Sequence, residues 1–260
     1  MKALYIAATG MKAQELNVEV ISNNVANMRT TGYKRQRADF QDLLYENKRR
    51  MGTETSDTGT MVPNGVQLGS GVRTVATTRI MTQGTVAQSG KSLDLAVRGE
   101  GFFQINMPDG TNAYTRDGSF ARSQTGQIVT ADGYTLSPGI TIPQDVKDLT
   151  INKQGLVQAI DTAGQTVTLG QIQIASFINK AGLQAVGDNL FTATAASGEA
   201  QLGNPGQQSY GSILQGYLEA ANVDAVTELS DLISAQRAYE MNSKIVKAAD
   251  EMYSTTTNMR

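Results

Sequence analysis

The chain has 260 residues, with 22 Lys or Arg against 24 Asp or Glu and a formal charge of −2. At that length folding removes about 73% of the unfolded surface from water, so one or two cored domains are expected, and no basic excess points to nucleic acid or an acidic membrane. Neither Cys nor His occurs, which excludes disulfides, thiolate or imidazole metal sites and a Ser-His-Asp triad, and leaves paired carboxylates or a Ser-Lys arrangement as the catalytic options.

The first residues, MKALYIAATGM, imitate a signal peptide with one Lys and a short apolar run. Gly10 interrupts the run, Lys12 and Glu15 follow, and no small-x-small cleavage site is present. No stretch of about 18 apolar residues occurs for a membrane span. Export, if it takes place, is expected without a cleaved signal.

Residues 3 to 27 carry Leu4, Ala7, Met11, Val18, Ile21 and Val25 at alternating three and four residue spacings, with Gln14 the polar member. This stripe predicts a long helix with a coiled-coil seam. Asn17 and Asn24 lie on that stripe, and Asn23 and Asn27 lie beside it. A buried amide costs stability but restricts pairing to registers in which it finds a partner, so these amides suit a helix that must choose one neighbour among identical ones. The plainer alternative is that Asn23, Asn24 and Asn27 fray or cap the helix end, with Gly32 supplying a left-handed turn.

Beyond the helix, Lys34, Arg35 and Arg37, then Lys48, Arg49 and Arg50, form two basic clusters near Tyr33 and Phe40. They read as a solvated face, or as a contact for an acidic partner surface. Residues 46 to 74 are polar and rich in Gly, Thr and Ser.

From about residue 75 the pattern changes to period two. Leu93, Leu95 and Val97 alternate with Asp94, Ala96 and Arg98, and turn pairs recur at Asp109-Gly110, Asp117-Gly118, Thr125-Gly126 and Asp132-Gly133. Residues 75 to 195 are expected to form a compact antiparallel β domain. Within it, Gly99-Glu100-Gly101-Phe102-Phe103-Gln104 lacks the third glycine and the βαβ setting of a nucleotide loop and reads as strand-turn chemistry. Glu100 with Asp94 or Asp117 is the candidate carboxylate pair, against a solvated turn carboxylate.

Residues 196 to 212 look like linker, and from Asn222 to about Thr256 no Gly or Pro interrupts a second helix. Val226, Leu229 and Ile233, then Ala238, Met241, Ile245, Ala248 and Met252, form a drifting apolar face. The two helices would be about 37 and 52 Å long, against a β domain about 40 Å across, so that domain cannot cover both. Residues 1 to 50 hold nine Lys or Arg against five Asp or Glu, and residues 211 to 260 hold four against seven. The ends should attract.

Ala26-Asn27-Met28-Arg29-Thr30-Thr31-Gly32-Tyr33-Lys34 resembles the A-N-x-x-T-x-G-[FY]-K signature of bacterial flagellar rod and hook proteins. Asn222-Val223-Asp224 and Gln236-Arg237-Ala238-Tyr239-Glu240, followed by Asn242, resemble that family's C-terminal signature, with Ala221 where Ser is usual. Leu93 to Phe103 and Tyr114 to Phe120 resemble its β-domain motifs. The segment from Tyr33 to Tyr45 and the total length are most similar to the distal rod members. The resemblance implies an α+β fold: N- and C-terminal helices paired as a coiled-coil-like D0 assembly domain (1–32 and 222–260), a central antiparallel all-β D1 domain (75–195), and linkers (33–74 and 196–221) that include an extended segment or hairpin at 46–73. The assembly residues it implies are Leu4, Met11, Asn17, Val18, Ile21, Asn24, Val25 and Asn27 in the first helix. In the second they are Val226, Leu229, Ile233, Gln236, Arg237, Tyr239, Met241, Asn242 and Ile245, with Thr30, Gly32, Tyr33 and Lys34 as the signature turn.

The implied role is a non-enzymatic subunit of the straight hollow distal rod, transmitting torque and lining part of the export channel. The implied partners are copies of itself, the proximal rod, hook and outer ring proteins, and the flagellar type III export apparatus. The implied place is the basal body between periplasm and outer membrane. No cofactor, metal, nucleic acid or small-molecule substrate is expected. The 46–73 segment is expected to brace neighbouring subunits. Alternatives are a proximal rod or hook subunit, a two-carboxylate cell-wall glycosidase, and a free binding module.

Overall fold

The structure is a computed structural model that describes residues 2–49, 51, 64–162, 164–207 and 210–258. It is α+β, with a helix at each end of the chain and antiparallel strands between. The chain divides into two compact units, one formed by Met1–Val25, Gln36–Thr78 and Asp224–Arg260, the other by Ala26–Arg35 and Arg79–Val223.

In the first unit α1 spans Lys2–Ala26 and α2 spans Ala225–Asn258. Asp224 starts α2, because its carboxylate accepts the N–H groups of Val226 at 2.8 Å and Thr227 at 3.2 Å, which have no partner within the helix. That gives the Asn222-Val223-Asp224 signature one physical purpose. Between the helices in sequence lies a ribbon. Strand β1 (Gln36–Asp42) pairs with β4 (Val72–Arg79), and β2 (Tyr45–Arg49) pairs antiparallel with β3 (Val66–Gly69). The Leu43 N–H donates to the Gly71 carbonyl at 2.8 Å where the two pairs join. The expected 46–73 extension is therefore the distal half of this hairpin, and its residues 50 and 52–63 lie outside the described ones.

The ribbon runs along α1. Asn24 holds Gln36 at one end, the Thr9 hydroxyl accepts the Val72 N–H at 3.3 Å, and Lys2 pairs with Glu46 at the other end. The lengths agree: twenty-two helical steps and ten strand steps both advance about 33 Å. Lying under this ribbon and against α2, the α1 stripe of Leu4, Ala7, Met11, Val18, Ile21 and Val25 is buried or half-buried. The α1 stripe therefore finds its cover within its own unit.

The second unit is antiparallel β. Its strands are β5 (Val86–Gln88), β6 (Leu95–Arg98), β7 (Phe102–Asn106), β8 (Asn112–Thr115), β9 (Ala121–Arg122), β10 (Ile128–Val129) and β11 (Thr135–Leu136). They continue with β12 (Val146–Ile151), β13 (Leu156–Asp161), β14 (Thr166–Gln171), β15 (Ile174–Ser176), β16 (Gln184–Gly187), β17 (Leu190–Thr192), β18 (Gln201–Gly203), β19 (Ser212–Gln215) and β20 (Tyr217–Glu219). The main sheet runs β16-β17-β8-β7-β11-β10-β9, and β15 joins β7 to β18. A three-stranded meander, β12-β13-β14, stands beside two pairs, β19-β6 and β20-β5.

Alternation along β7 feeds two cores. Phe103 and Ile105 enter a large aliphatic cluster with Leu95, Val97, Ile174 and Ile213, and Phe102 enters an aromatic one with Tyr114, Phe177 and Phe191. Tyr114 and Phe177 meet edge to face at 4.8 Å, a geometry that adds about 1 kcal/mol beyond area burial. The stretch 196–221, expected as linker, supplies β18, β19 and β20. Its small and polar residues conceal strands because their partners, β15, β6 and β5, lie far away in sequence.

Candidate assembly interface

Residues seven apart on each helix face each other in α1 and α2, running in opposite directions. The Asn24 amide donates to Glu228 at 3.1 Å, and a Cβ placed on Gly10 would lie 3.0 Å from the Asn242 side-chain amide. The same register sets Asn17 opposite Ala235 and Ala3 opposite Ala249. Small residues allow the close approach, which is why Gly10 is present despite costing about 1 kcal/mol against Ala inside a helix. The seam of α2 is thus Glu228, Leu232, Ala235, Asn242, Val246 and Ala249, all buried or half-buried.

This seam is not the α2 face read from the sequence. Val226, Leu229, Ile233, Met241, Ile245 and Met252 lie largely on the other side of the helix and are 49 to 78% exposed. The helix carries two stripes, and on the one built of large residues Val226, Leu229, Ile233, Met241 and Ile245 stand about half or more in water. Ala238 is half-buried, and Gln236, Arg237 and Ala248 are exposed. Gln236 and Tyr239 line an open groove of about 430 Å³ with Glu15, Val18, Glu19 and Glu240.

Asn24 does its work inside the chain. Its amide donates to the Gln36 carbonyl at 2.8 Å while its carbonyl accepts the Gln36 N–H at 2.9 Å. One buried side chain thereby satisfies both backbone groups where the chain leaves α1 and enters the ribbon. Asn17 bonds Gln14 at 3.4 Å within α1, and Asn27 accepts the Thr30 hydroxyl at 3.2 Å and the Thr30 N–H at 3.0 Å.

The signature turn belongs to the β unit. Gly32 has φ +68°, and a Cβ there would lie 2.5 Å from the Asp117 nitrogen, so only glycine fits. Thr31 donates its hydroxyl to Asp117 at 2.8 Å. Lys34, read as part of a surface cluster, is instead 1% exposed. Its ammonium donates to Glu219 at 2.5 Å and to the Thr82 carbonyl at 2.8 Å. The other Glu219 oxygen accepts from Arg116 at 3.1 Å, and Arg116 also donates to the carbonyls of Val97 at 3.1 Å and Gly99 at 2.6 Å. Asn222 then holds the Ile80 carbonyl at 2.9 Å and the Arg35 N–H at 2.7 Å.

All four motifs singled out in the sequence therefore converge here. Lys34 comes from the first, Gly99 and Arg116 from the two β motifs, and Asn222 from the last. Two cations share one carboxylate, so the cluster keeps a net positive charge away from water. Burial pushes the Lys34 ammonium below the ordinary lysine value against the pull of Glu219, and Arg116 adds to the depression. Burial likewise lowers Arg116, with Glu219 opposing. Neither Arg116 nor Glu219 was singled out for this role in the sequence, since an ionic cluster assembled from distant strands leaves no local spacing.

The candidate carboxylate pair is engaged elsewhere. Glu100 pairs with Lys180, and Asp117 accepts the Thr31 hydroxyl and the Ser119 N–H. Among the described residues no cluster of acids is placed to hold a metal ion, and no helix is long and apolar enough to cross a membrane.

Comparison with known proteins gives three family matches. They are a flagella basal body rod protein family over residues 4–34, a flagellar hook protein FlgE/F/G D1 domain over 96–159, and a flagellar basal body rod FlgEFG protein C-terminal family over 214–259. The flagellar basal-body rod protein FlgG of Caulobacter vibrioides is 56% identical over 261 residues, covering 100% of both chains. The protein of that name from Agrobacterium fabrum is 52% identical, covering 98% of this chain and 97% of its own. That from Borreliella burgdorferi is 44% identical, covering 100% and 99%.

Proposed function

Because this chain belongs to the flagellar basal-body rod protein family, we propose that it is a structural subunit that polymerises head to tail into the straight, hollow distal rod, carrying torque and bounding part of an export channel. The observation that carries the polymer is the exposed stripe of Val226, Leu229, Ile233, Met241 and Ile245 on α2. Each of these half-exposed side chains still gains about 1 kcal/mol on full burial, and copies of the same helix pair are the natural cover. Contacts that do not close by rotation give an open helical filament.

In this reading α1 and α2 bundle with the helices of neighbouring copies around the lumen, and the β units of successive copies tile against one another. The 46–73 hairpin braces the neighbouring subunit. The proximal rod, hook and outer ring proteins meet the filament's ends and flank, the subunit travels through the type III export apparatus, and no step of its work is catalytic.

Electron microscopy of filaments grown from the purified chain tests this. The expected density is straight, with both helices tracing the lumen wall. Helices on the outer surface, or a chain that stays monomeric at every concentration, would overturn it. Deleting 46–73 is expected to give bent filaments or none.

A further inference from the structure

Among the described residues, the half-buried cation Arg79 makes no ion pair. Arg79, the last residue of β4, is half-buried on the wall of a cavity of about 160 Å³ that Tyr33, Asp188, Asn189, Leu190 and Phe191 also line. Its guanidinium carbon lies over the Phe191 ring, 5.0 Å from the centroid. The ring takes one face of the guanidinium, and among the described residues no carboxylate pairs with its N–H fork. Asp188, the one acid on the wall, makes no ion pair among the described residues. Burial holds Arg79 below the ordinary arginine range, with Tyr33 opposing. Arg116, in the same unit, shows the satisfied alternative, with two carbonyls and a carboxylate around its fork.

We propose that this cleft receives a carboxylate side chain, Asp or Glu, from a second copy of the chain. The proposal rests on the polymer reading above. A guanidinium stacked on a ring keeps its edge ready for a two-pronged carboxylate. The cavity is narrow, and Leu190 and Phe191 give the acid's methylene stem an apolar wall. A free small carboxylate makes only the ion pair and loses its own freedom to do so, whereas an acid on a neighbouring subunit arrives at high effective concentration. The chain has acids to offer, since Asp231, Glu240, Asp250 and Glu251 on α2 are exposed.

The test uses the full-length chain with Arg79→Lys, which keeps the charge and adds a primary amine. Filaments are grown from equal amounts of isotope-labelled and unlabelled copies, treated with a zero-length carbodiimide and analysed by mass spectrometry. The expected product joins position 79 of one copy to an Asp or Glu of the other isotope. Arg79→Gln is expected to raise the concentration needed for assembly about tenfold, with the unfolding midpoint of the β unit unchanged. Replacing chloride by acetate should change that concentration less than about twofold, and a larger effect that disappears in Arg79→Gln would assign the cleft to a free carboxylate instead. Filaments that form normally yet link position 79 only within one copy, to Asp188 for example, or not at all, would overturn this inference and leave the polymer reading standing. A wild-type chain that never assembles would overturn both.

Discussion

In the β unit the large side chains, Phe102, Phe103, Ile105, Ile174 and Ile213, are buried, and the three charges of Lys34, Arg116 and Glu219 are buried with them, bonded to one another and to carbonyls. In the helical unit Val20 and Ile21 of α1 are buried, but along α2 the order is reversed. Ala7, Ala13, Ala235, Ala249 and the Asn24 amide are buried, while Val226, Ile233, Met241 and Met252 are exposed. A unit that buries its large apolar residues has made most of its hydrophobic gain on folding. A helix that buries alanines and exposes isoleucines, as α2 does, has kept its main hydrophobic gain for an encounter.

The comparison breaks first at Glu219. Glu219→Gln strands two buried cations and is expected to destabilise the β unit by about 3–5 kcal/mol, read by denaturant unfolding. A loss below about 1 kcal/mol would mean that the cluster does not hold the β unit together. Next comes Asn24→Ala, which removes the partner of both Gln36 backbone groups and of Glu228. About 2 kcal/mol should be lost there, with faster hydrogen exchange in α1 and the ribbon while the β-unit amides keep their protection.

Ile233→Asn sharpens the contrast from the other side. Folding stability should stay within about 0.5 kcal/mol, since the residue is already in water, while the concentration needed for assembly rises about tenfold, or about 1.4 kcal/mol, by sedimentation. Equal assembly would remove the stripe from the interface.

The smallest effect is a pH slope. Lys34 in the fold titrates below its ordinary value of 10.5. Between the folded value and 10.5 the unfolded chain holds a proton that the folded chain has released, so stability rises with pH across that window and is lost as pH falls back through the folded value. Unfolding midpoints measured across alkaline pH should show this rise, and Lys34→Met should abolish it.

Much of this was visible in the chain itself. The helices announced themselves because apolar residues recurred at three and four residue steps over more than twenty positions, and Gly and Pro were absent after Asn222. The α1 stripe proved to be the buried one, and the hairpin cadence from Asp109 to Gly133 became β8 to β11. What escaped was pairing between distant segments. Residues 196–212 look like linker because small residues in short strands carry no period, and Lys34 looks like surface because its neighbours in sequence are basic and its counterion is 185 residues away.

On its own the sequence determined the family, the two helices, the antiparallel β domain and the absence of histidine and cysteine chemistry, all properties that local spacing, composition and motif order express directly. Only the tertiary structure decided which of the two α2 stripes meets α1. Periodicity counts apolar residues and cannot see that Gly10, Ala235 and Ala249 pack more closely than Leu229 and Ile233. It alone joined the four motifs around Glu219, because a buried charge is stabilised by whatever the fold brings within 3 Å, and that proximity is written nowhere along the chain.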